Sequence, residues 1–352
     1  MIHVKAELLD DLKDSLPGLK RALQNAIELE HSTLPPYLYA LYSIKPDANR
    51  EIVGVVRSVI LEEMLHMALD CNILNAIGGE PSIDDPDFIP KYPGPLPGSV
   101  ESSLIVPLAS FSKQLVHDVF MIIEEPEDPL RFPVLKAALT TETQRITIGQ
   151  FYAAIKEQIH KLSQQGNIFT GDPAKQLTTG FGLLQIMPVR DPASALAAID
   201  LVVEQGEGTR TSPLDPDNEL AHYYRYAEIY YGKKLIPNPN PKPGEPDWVY
   251  GGHPIAFDPC GVWPAITNPN AALYPPNSEI ASLNDTFNYT YTYLLKSLQK
   301  VFNGQPDRLG PAIGLMESLK EQALVMMSSE LVPGETAGPT FTYQPVLVGS
   351  YA

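Results

Sequence analysis

Hydrophobic residues recur every three or four positions between residues 52 and 77, which predicts one long amphipathic helix. The apolar stripe is aliphatic at both ends, but its middle carries Glu63, His66 and Asp70. An ionised carboxylate on a core-facing stripe is costly unless it is paired or protonated. A bound cation removes that cost. Glu62 lies about 100° away from the stripe, so Glu63 is the predicted ligand.

Asp70 follows His66 by one helical turn. A histidine that binds a metal usually donates its other ring N–H to an acceptor outside the metal's own ligands. We therefore expect the Asp70 carboxylate to hold the second nitrogen of His66.

Two other predicted helices carry matching residues. The stripe of residues 19–44 places Glu30 among aliphatic side chains, where it would bind metal or pair with an arginine or a backbone donor. A strongly aromatic helix near residues 218–232 contains Glu219 and His222, which repeat the Glu-x-x-His spacing of Glu63 and His66. Glu30 and Glu219 are both predicted ligands.

A further acidic ligand has two candidates. Thr147 and Gln150 form a capping box that opens a helix in which Glu157 is the available carboxylate, although it lies off the apolar stripe. Glu204 stands near the C-terminal end of a later helix, where the helix dipole disfavours anions and a nearby cation would stabilise the charge. The sequence leaves the choice between Glu157 and Glu204 open.

Taken in order, these residues form the pattern of one glutamate followed by Glu-x-x-His, twice over. The predicted ligands are Glu30, Glu63, His66, Glu157 or Glu204, Glu219 and His222. Carboxylate-bridged di-iron and di-manganese bundles use this plan. The pattern predicts two divalent metal ions; iron is favoured, and manganese and zinc accept the same ligands. Three tyrosines are candidates for lining a substrate pocket and for catalysis, or for simple core packing: Tyr37, Tyr152 and Tyr226.

Composition narrows the choice of partners. The chain has 352 residues, and its 25 basic and 42 acidic residues give a net charge of −17 without any basic cluster. Nucleic acids and anionic membranes are therefore not expected partners. No apolar run approaches the roughly 18 residues of a membrane span. Two cysteines without metal-binding spacing fit a reducing cytoplasm, which is the predicted location.

The predicted fold is all-α: a four-helix bundle with additional C-terminal helices and long proline-rich connections. Residues 1–240 would form the metal-binding bundle, and residues 241–352 would form a helical extension packed on it in the same globular unit. The 35 prolines are concentrated between the helical segments, which predicts long ordered connections rather than tight loops.

Several segments also resemble a known family. They are ELEHSTLPPYLYALYSI, VILEEMLHMALDCNILNAIGG, TIGQFYAAI, VVEQGEGT, ELAHYYRYAEI, FNYTYTYLLKSLQKVFNG and AGPTFTYQP, in this order. Together they resemble the ferritin-like family typified by the iminophenyl-pyruvate dimer synthase domain of violacein and indolocarbazole pathway proteins, which are longer than this chain. The resemblance covers essentially the whole chain. By position, Glu30, Glu63, His66, Glu204, Glu219 and His222 fall on the family's acidic and histidine motifs.

The resemblance implies a ferritin-like bundle, bound metal and, for the pathway proteins, oxidative coupling of two amino-acid-derived imines. We therefore expect an O₂-dependent oxidase or oxygenase that acts on a small amino-acid-derived substrate in secondary metabolism. The alternatives are metal storage without catalysis and a structural bundle with ion-paired acids. Whether the chain forms a homo-oligomer is left open.

Overall fold

In the computed structural model, the described residues are 3–5, 12, 15–97, 104–126, 145–180, 185–208, 212–215, 217–243 and 245–345. The long elements in these ranges are helices: α1 Leu16–Tyr42, α2 Arg50–Ala76, α3 (Lys113–Leu115, a π-helical turn Val116–Phe120, and Met121–Ile123), α4 Ile148–Gln165, α5 Pro192–Glu207, α6 His222–Tyr231, α7 Glu279–Val301 and α8 Leu309–Ser328. The predicted mainly helical fold is confirmed.

The strands are short and form three antiparallel pairs. They are β1 His3–Lys5 with β2 Arg145–Thr147, β3 Lys233–Pro237 with β4 Trp248–Pro254, and β5 Glu330–Val332 with β6 Glu335–Thr336. They connect or flank helices and do not form the core.

Four helices close into a bundle. α1 packs against α2 and α4, and α5 packs against the same two helices. The aliphatic stripe predicted for the first helix explains this arrangement, because Leu19, Leu23 and Ile27 are fully buried. The capping box predicted at Thr147 and Gln150 is present and begins α4.

Two shorter helices, α3 and α6, pack against each other beside this bundle, and α6 also contacts α2 and α5. The end of α3 and the beginning of α6 thereby reach the middle of α2. Within α3, the π-helical turn widens the helix by one residue, a feature that often occurs next to functional sites.

The C-terminal helices α7 and α8 form a pair, and α8 contacts α1. The Tyr291 hydroxyl of α7 lies 2.8 Å from Nε2 of His31, and the Asn75 amide donates to the Phe302 carbonyl. α1 and α2 are therefore covered on more than one side, so that burial extends well beyond one stripe on each helix. Among the described helices, none is long and apolar enough to cross a membrane.

Candidate metal centre

Five buried side chains from four helices meet around Glu63. Ligand atoms of Glu30, Glu63 and His66 lie within 4.8 Å of one another, and the same holds for Glu63, Glu124 and His222. Glu124 is the most accessible of the five, at 9% exposed. Glu63 belongs to both groups, so the cluster offers two adjacent positions for metal ions that share one carboxylate.

Both histidines are held through their Nε2 atoms. Nε2 of His222 lies 3.0 Å from Oε2 of Glu62, whose other oxygen accepts a hydrogen bond from Nη1 of Arg225 at 2.7 Å. Nε2 of His66 lies 2.9 Å from Oε1 of Gln205, on α5. Because carboxylate and amide oxygens accept hydrogen bonds, each Nε2 carries a hydrogen, and Nδ1 has a lone pair for a metal ion whenever the ring is neutral.

The two Nδ1 atoms face carboxylate oxygens. Nδ1 of His222 lies 2.8 Å from Oε1 of Glu63 and 3.4 Å from Oε2 of Glu124, yet it makes no hydrogen bond with any described residue. Nδ1 of His66 lies 3.6 Å from Oε2 of Glu30. A lone pair and an anionic oxygen at such distances repel unless a proton or a cation lies between them. This donor set therefore fits metal ions.

The pKa values of the cluster show how strongly it attracts positive charge. Burial, with the charges of Glu124 and Glu30, raises the pKa of Glu63 to about 8. Burial alone would lower the pKa of His222, but its contacts with Glu124, Glu62 and Glu63 raise that pKa well above its ordinary value. Without a cation, the cluster retains protons that a metal would displace.

A second set of hydrogen bonds, made by Tyr152, holds Glu30 in position. The Tyr152 hydroxyl lies 2.5 Å from Oε1 of Glu30 and 2.8 Å from Oδ2 of Asp70. A hydroxyl donates only one hydrogen, so the two acids share a single donor. Burial and the charge of Glu30 raise the pKa of Asp70 well above its usual value. Burial favours the neutral form of Glu30 too, but its contacts with His66, Glu63 and Tyr152 outweigh burial and lower the pKa.

Burial therefore favours the neutral form of Asp70, which lies next to the Tyr152 hydroxyl. The prediction that Asp70 holds the second nitrogen of His66 is wrong, because Gln205 makes that contact. Asp70 instead supports Glu30 through Tyr152.

The other two candidate tyrosines lie near Glu124. Tyr37 donates to Oε1 of Glu124, and the rings of Tyr37 and Tyr226 have centroids 5.4 Å apart. Both side chains are fully buried, and the Tyr226 hydroxyl has no hydrogen-bond partner in the part of the chain that is described. Of the three tyrosines, Tyr152 lines the cavity at the cluster.

Three predicted ligands lie outside the cluster. Glu157 is exposed on α4, as its position off the apolar stripe requires. Glu204 is half-buried on α5, where burial and the charge of Asp200 raise its pKa. Glu219 is 65% exposed and pairs with Arg225. Because α6 begins at His222, Glu219 precedes the helix and does not share a helical face with His222.

The sequence analysis missed Glu124, Glu62 and Gln205. Glu124 follows the apolar run of residues 119–123 at the end of α3, and a carboxylate in that position is the signal that could have indicated it. Glu62 is 5% exposed and Gln205 is 7% exposed. Both are buried because other helices pack against α2 and α5 on faces outside the apolar stripe of each helix.

A cavity of about 50 Å³ adjoins the cluster. Its lining includes Glu30, Glu63, His66 and Glu124 together with aliphatic residues such as Val202. Since a single water needs roughly 10–15 Å³ by this measure, the cavity has room for several water-sized ligands. The polar end of the cavity is formed by this Glu/His cluster, and the remainder is largely apolar.

Comparison with known proteins agrees with this geometry. The chain is 26% identical to dichlorochromopyrrolate synthase of Lentzea aerocolonigenes over 92% of its own length, and it spans about a third (35%) of that relative. The fold is similar to a crystal structure of a ferritin-like protein from Caulobacter vibrioides, with a TM-score of 0.59, 24% identity and coverage of 92% of this chain and 98% of the other. The Ferritin-like family model matches residues 23–231. The chain therefore belongs to the Ferritin-like family, which confirms the predicted resemblance.

Proposed function

We propose that this protein is a metal-dependent oxidoreductase. Two divalent ions, with iron favoured over manganese and zinc, would bind at Glu30, Glu63, His66, Glu124 and His222. O₂ would then oxidise a small amino-acid-derived substrate. The observation that carries the proposal is the buried Nδ1 of His222, which lies 2.8 Å from Oε1 of Glu63 without a hydrogen bond. A cation between those atoms would satisfy both.

Iron held by this set would supply the change of oxidation state that O₂ chemistry requires. Glu63 would serve as a ligand at both positions, because it belongs to both ligand groups. Glu62 and Gln205 orient the two imidazoles so that Nδ1 faces the centre. The Tyr152 hydroxyl holds its proton between Glu30 and Asp70. The aliphatic part of the cavity lining limits the access of water.

The substrate class is proposed from two observations. One relative is a dichlorochromopyrrolate synthase, although the chain spans about a third (35%) of its length. The cavity of about 50 Å³ joins the Glu/His cluster to a largely apolar lining, which suits the polar end of such a substrate rather than the whole molecule. Oxidative coupling of amino-acid-derived imines is the reaction that we propose to test first.

The test begins with metal analysis of the full chain. We expect about two iron, manganese or zinc ions in each wild-type chain. The double variant Glu63→Ala, His66→Ala should lose them, whereas Glu157→Ala should keep them because Glu157 is exposed on the same bundle. Wild-type protein without stoichiometric metal, or equal loss in the Glu157 variant, would refute the proposed site.

The second stage measures O₂ consumption by iron-loaded protein, with and without α-imino acids made from amino acids. Faster O₂ use with the substrate, and none in the metal-free double variant, is the expected result. Full metal occupancy without any O₂ consumption would instead favour metal binding without catalysis.

A further inference from the structure

A second cavity lies between α1, α2, α7 and α8. Its volume is about 110 Å³, roughly twice that of the cavity at the metal cluster, and the two cavities share no lining residue. The lining is nearly all hydrocarbon, aromatic ring and thioether, and it includes Leu298, Phe302 and Met316. Among the described residues that line it, none is acidic or basic except for the imidazole of His31.

His31 is the polar exception in this lining. Its side chain is 2% exposed, and its Nε2 lies 2.8 Å from the Tyr291 hydroxyl, which also lines the cavity. Its Nδ1 has no hydrogen-bond partner among the residues that the structure describes. A buried polar atom without a partner is destabilising, and a ligand that pairs with it would recover that free energy.

We infer that this cavity binds a neutral, mainly apolar small molecule that carries one hydroxyl group, with the hydroxyl paired to Nδ1 of His31. Three features specify this class of ligand. A charged group would lose its hydration here without gaining a counter-charge. A hydroxyl can donate or accept, so it suits Nδ1 whichever of the two, His31 or Tyr291, donates in their hydrogen bond. The volume of about 110 Å³ is somewhat smaller than that of an engineered apolar cavity of about 150 Å³ that binds benzene, so one aromatic ring is the largest group that we expect to fit.

The methionines make the site adaptable. Met64, Met67 and Met316 line it, and the unbranched thioether side chain can fit ligands of slightly different shape and contact an aromatic ring favourably. This second site does not depend on the metal centre, and its test uses neither metal nor enzymatic activity.

The test compares phenol with benzene, which differ by the hydroxyl group. Binding to the full chain is measured by calorimetry, and the position of phenol is determined by crystallography. We expect phenol in the cavity within hydrogen-bond distance of Nδ1 of His31, and an affinity about fivefold higher than that of benzene. The inference is overturned if neither probe binds, or if phenol occupies another place.

Two variants separate the contributions of shape and hydrogen bonding. Met316→Trp should fill the cavity and abolish binding, while Val325→Trp, on the exposed side of the same helix at 48% exposure, should bind phenol normally. His31→Leu should reduce phenol affinity to that of benzene while the cavity remains. Phenol affinity that is unchanged in His31→Leu would overturn the assignment of the hydroxyl partner, even if Met316→Trp does not fold.

Discussion

Adjacent carboxylates on α2 have opposite ionisation. Burial and neighbouring carboxylates raise the pKa of Glu63 to about 8. Burial would also raise the pKa of Glu62, but its contacts with His222 and Arg225 outweigh burial and lower that pKa to about 2. Glu62 is therefore a permanent anion that orients His222. Glu63 releases its proton readily only when a cation is present, which is the behaviour expected of a bridging ligand.

Replacing Glu62 tests this division of roles. Glu62→Gln keeps an acceptor for Nε2 of His222 but removes the negative charge, so we expect metal affinity to fall about tenfold. Competition titration with a chelating dye measures this change. Glu219→Gln is the matched control, because Glu219 contacts the same Arg225 from an exposed position. Equal metal affinities for the wild type and Glu62→Gln would show that the charge of Glu62 does not affect metal binding by His222.

Loss of the hydroxyl group should change the free energy of unfolding differently at two buried tyrosines. Tyr152→Phe leaves Asp70 and Glu30 without the hydroxyl between them, and we expect it to lower the free energy of unfolding by about 1–3 kcal/mol. Tyr226→Phe removes a hydroxyl that lacks a partner among the described residues. Its effect should be neutral or stabilising by about 1 kcal/mol. Urea unfolding of the metal-free proteins measures both; a similar loss in the two variants would contradict this account.

Helical residue spacing predicted the cluster residues correctly where the predicted helix is present in the structure. It failed where the predicted helix begins later in the chain. Glu30, Glu63 and His66 lie on long helices whose stripes are visible in the sequence, and the structure brings these residues together with His222. Glu219 was placed by the same three-residue spacing, but α6 begins only at His222. Glu124 has no partner at helical spacing. Its position depends on how α3 packs against α6, which periodicity along one helix cannot indicate.

The two proposed metal positions draw on different elements, so we expect their metal ions to be lost separately. Glu30 and His66 come from α1 and α2, whereas Glu124 and His222 come from α3 and α6. We expect Glu124→Ala to reduce the metal content from about two ions to about one in each chain, as measured by mass spectrometry of the purified protein. Loss of both ions would mean that the positions bind cooperatively, and retention of both would exclude Glu124 as a ligand.

At the scale of the whole molecule, the C-terminal helices alter the environment of the bundle. α7 and α8 enclose one cavity against α1 and α2, while α3 to α6 enclose the candidate metal site with the same two helices. Glu30 and His31 are consecutive residues of α1 that line different cavities. A simple bundle helix has one buried face, whereas α1 buries nearly its whole circumference. This explains why a single-stripe analysis identified Glu30 but not the role of His31.

The pH dependence of stability follows from the protons that the metal-free cluster retains. The pKa of Glu63 rises from an ordinary 4.5 to about 8, so the folded chain keeps a proton that the unfolded chain releases between those values. His66 and His222 also have pKa values raised above the ordinary 6.5. For all three groups, the stability that they contribute is present at low pH and is lost as pH rises above the unfolded pKa.

Metal binding should depend on pH in the opposite sense. The ions require deprotonated ligands, so their contribution to stability increases as pH rises. We therefore expect the difference in Tm between metal-loaded and metal-free protein to widen by several degrees from about pH 6 to pH 8, as measured by calorimetry. The Glu63→Gln variant removes the shared ligand and its titration, so its difference should be small and nearly constant. A wild-type difference that does not change with pH would mean that protons and metal ions do not compete for this cluster.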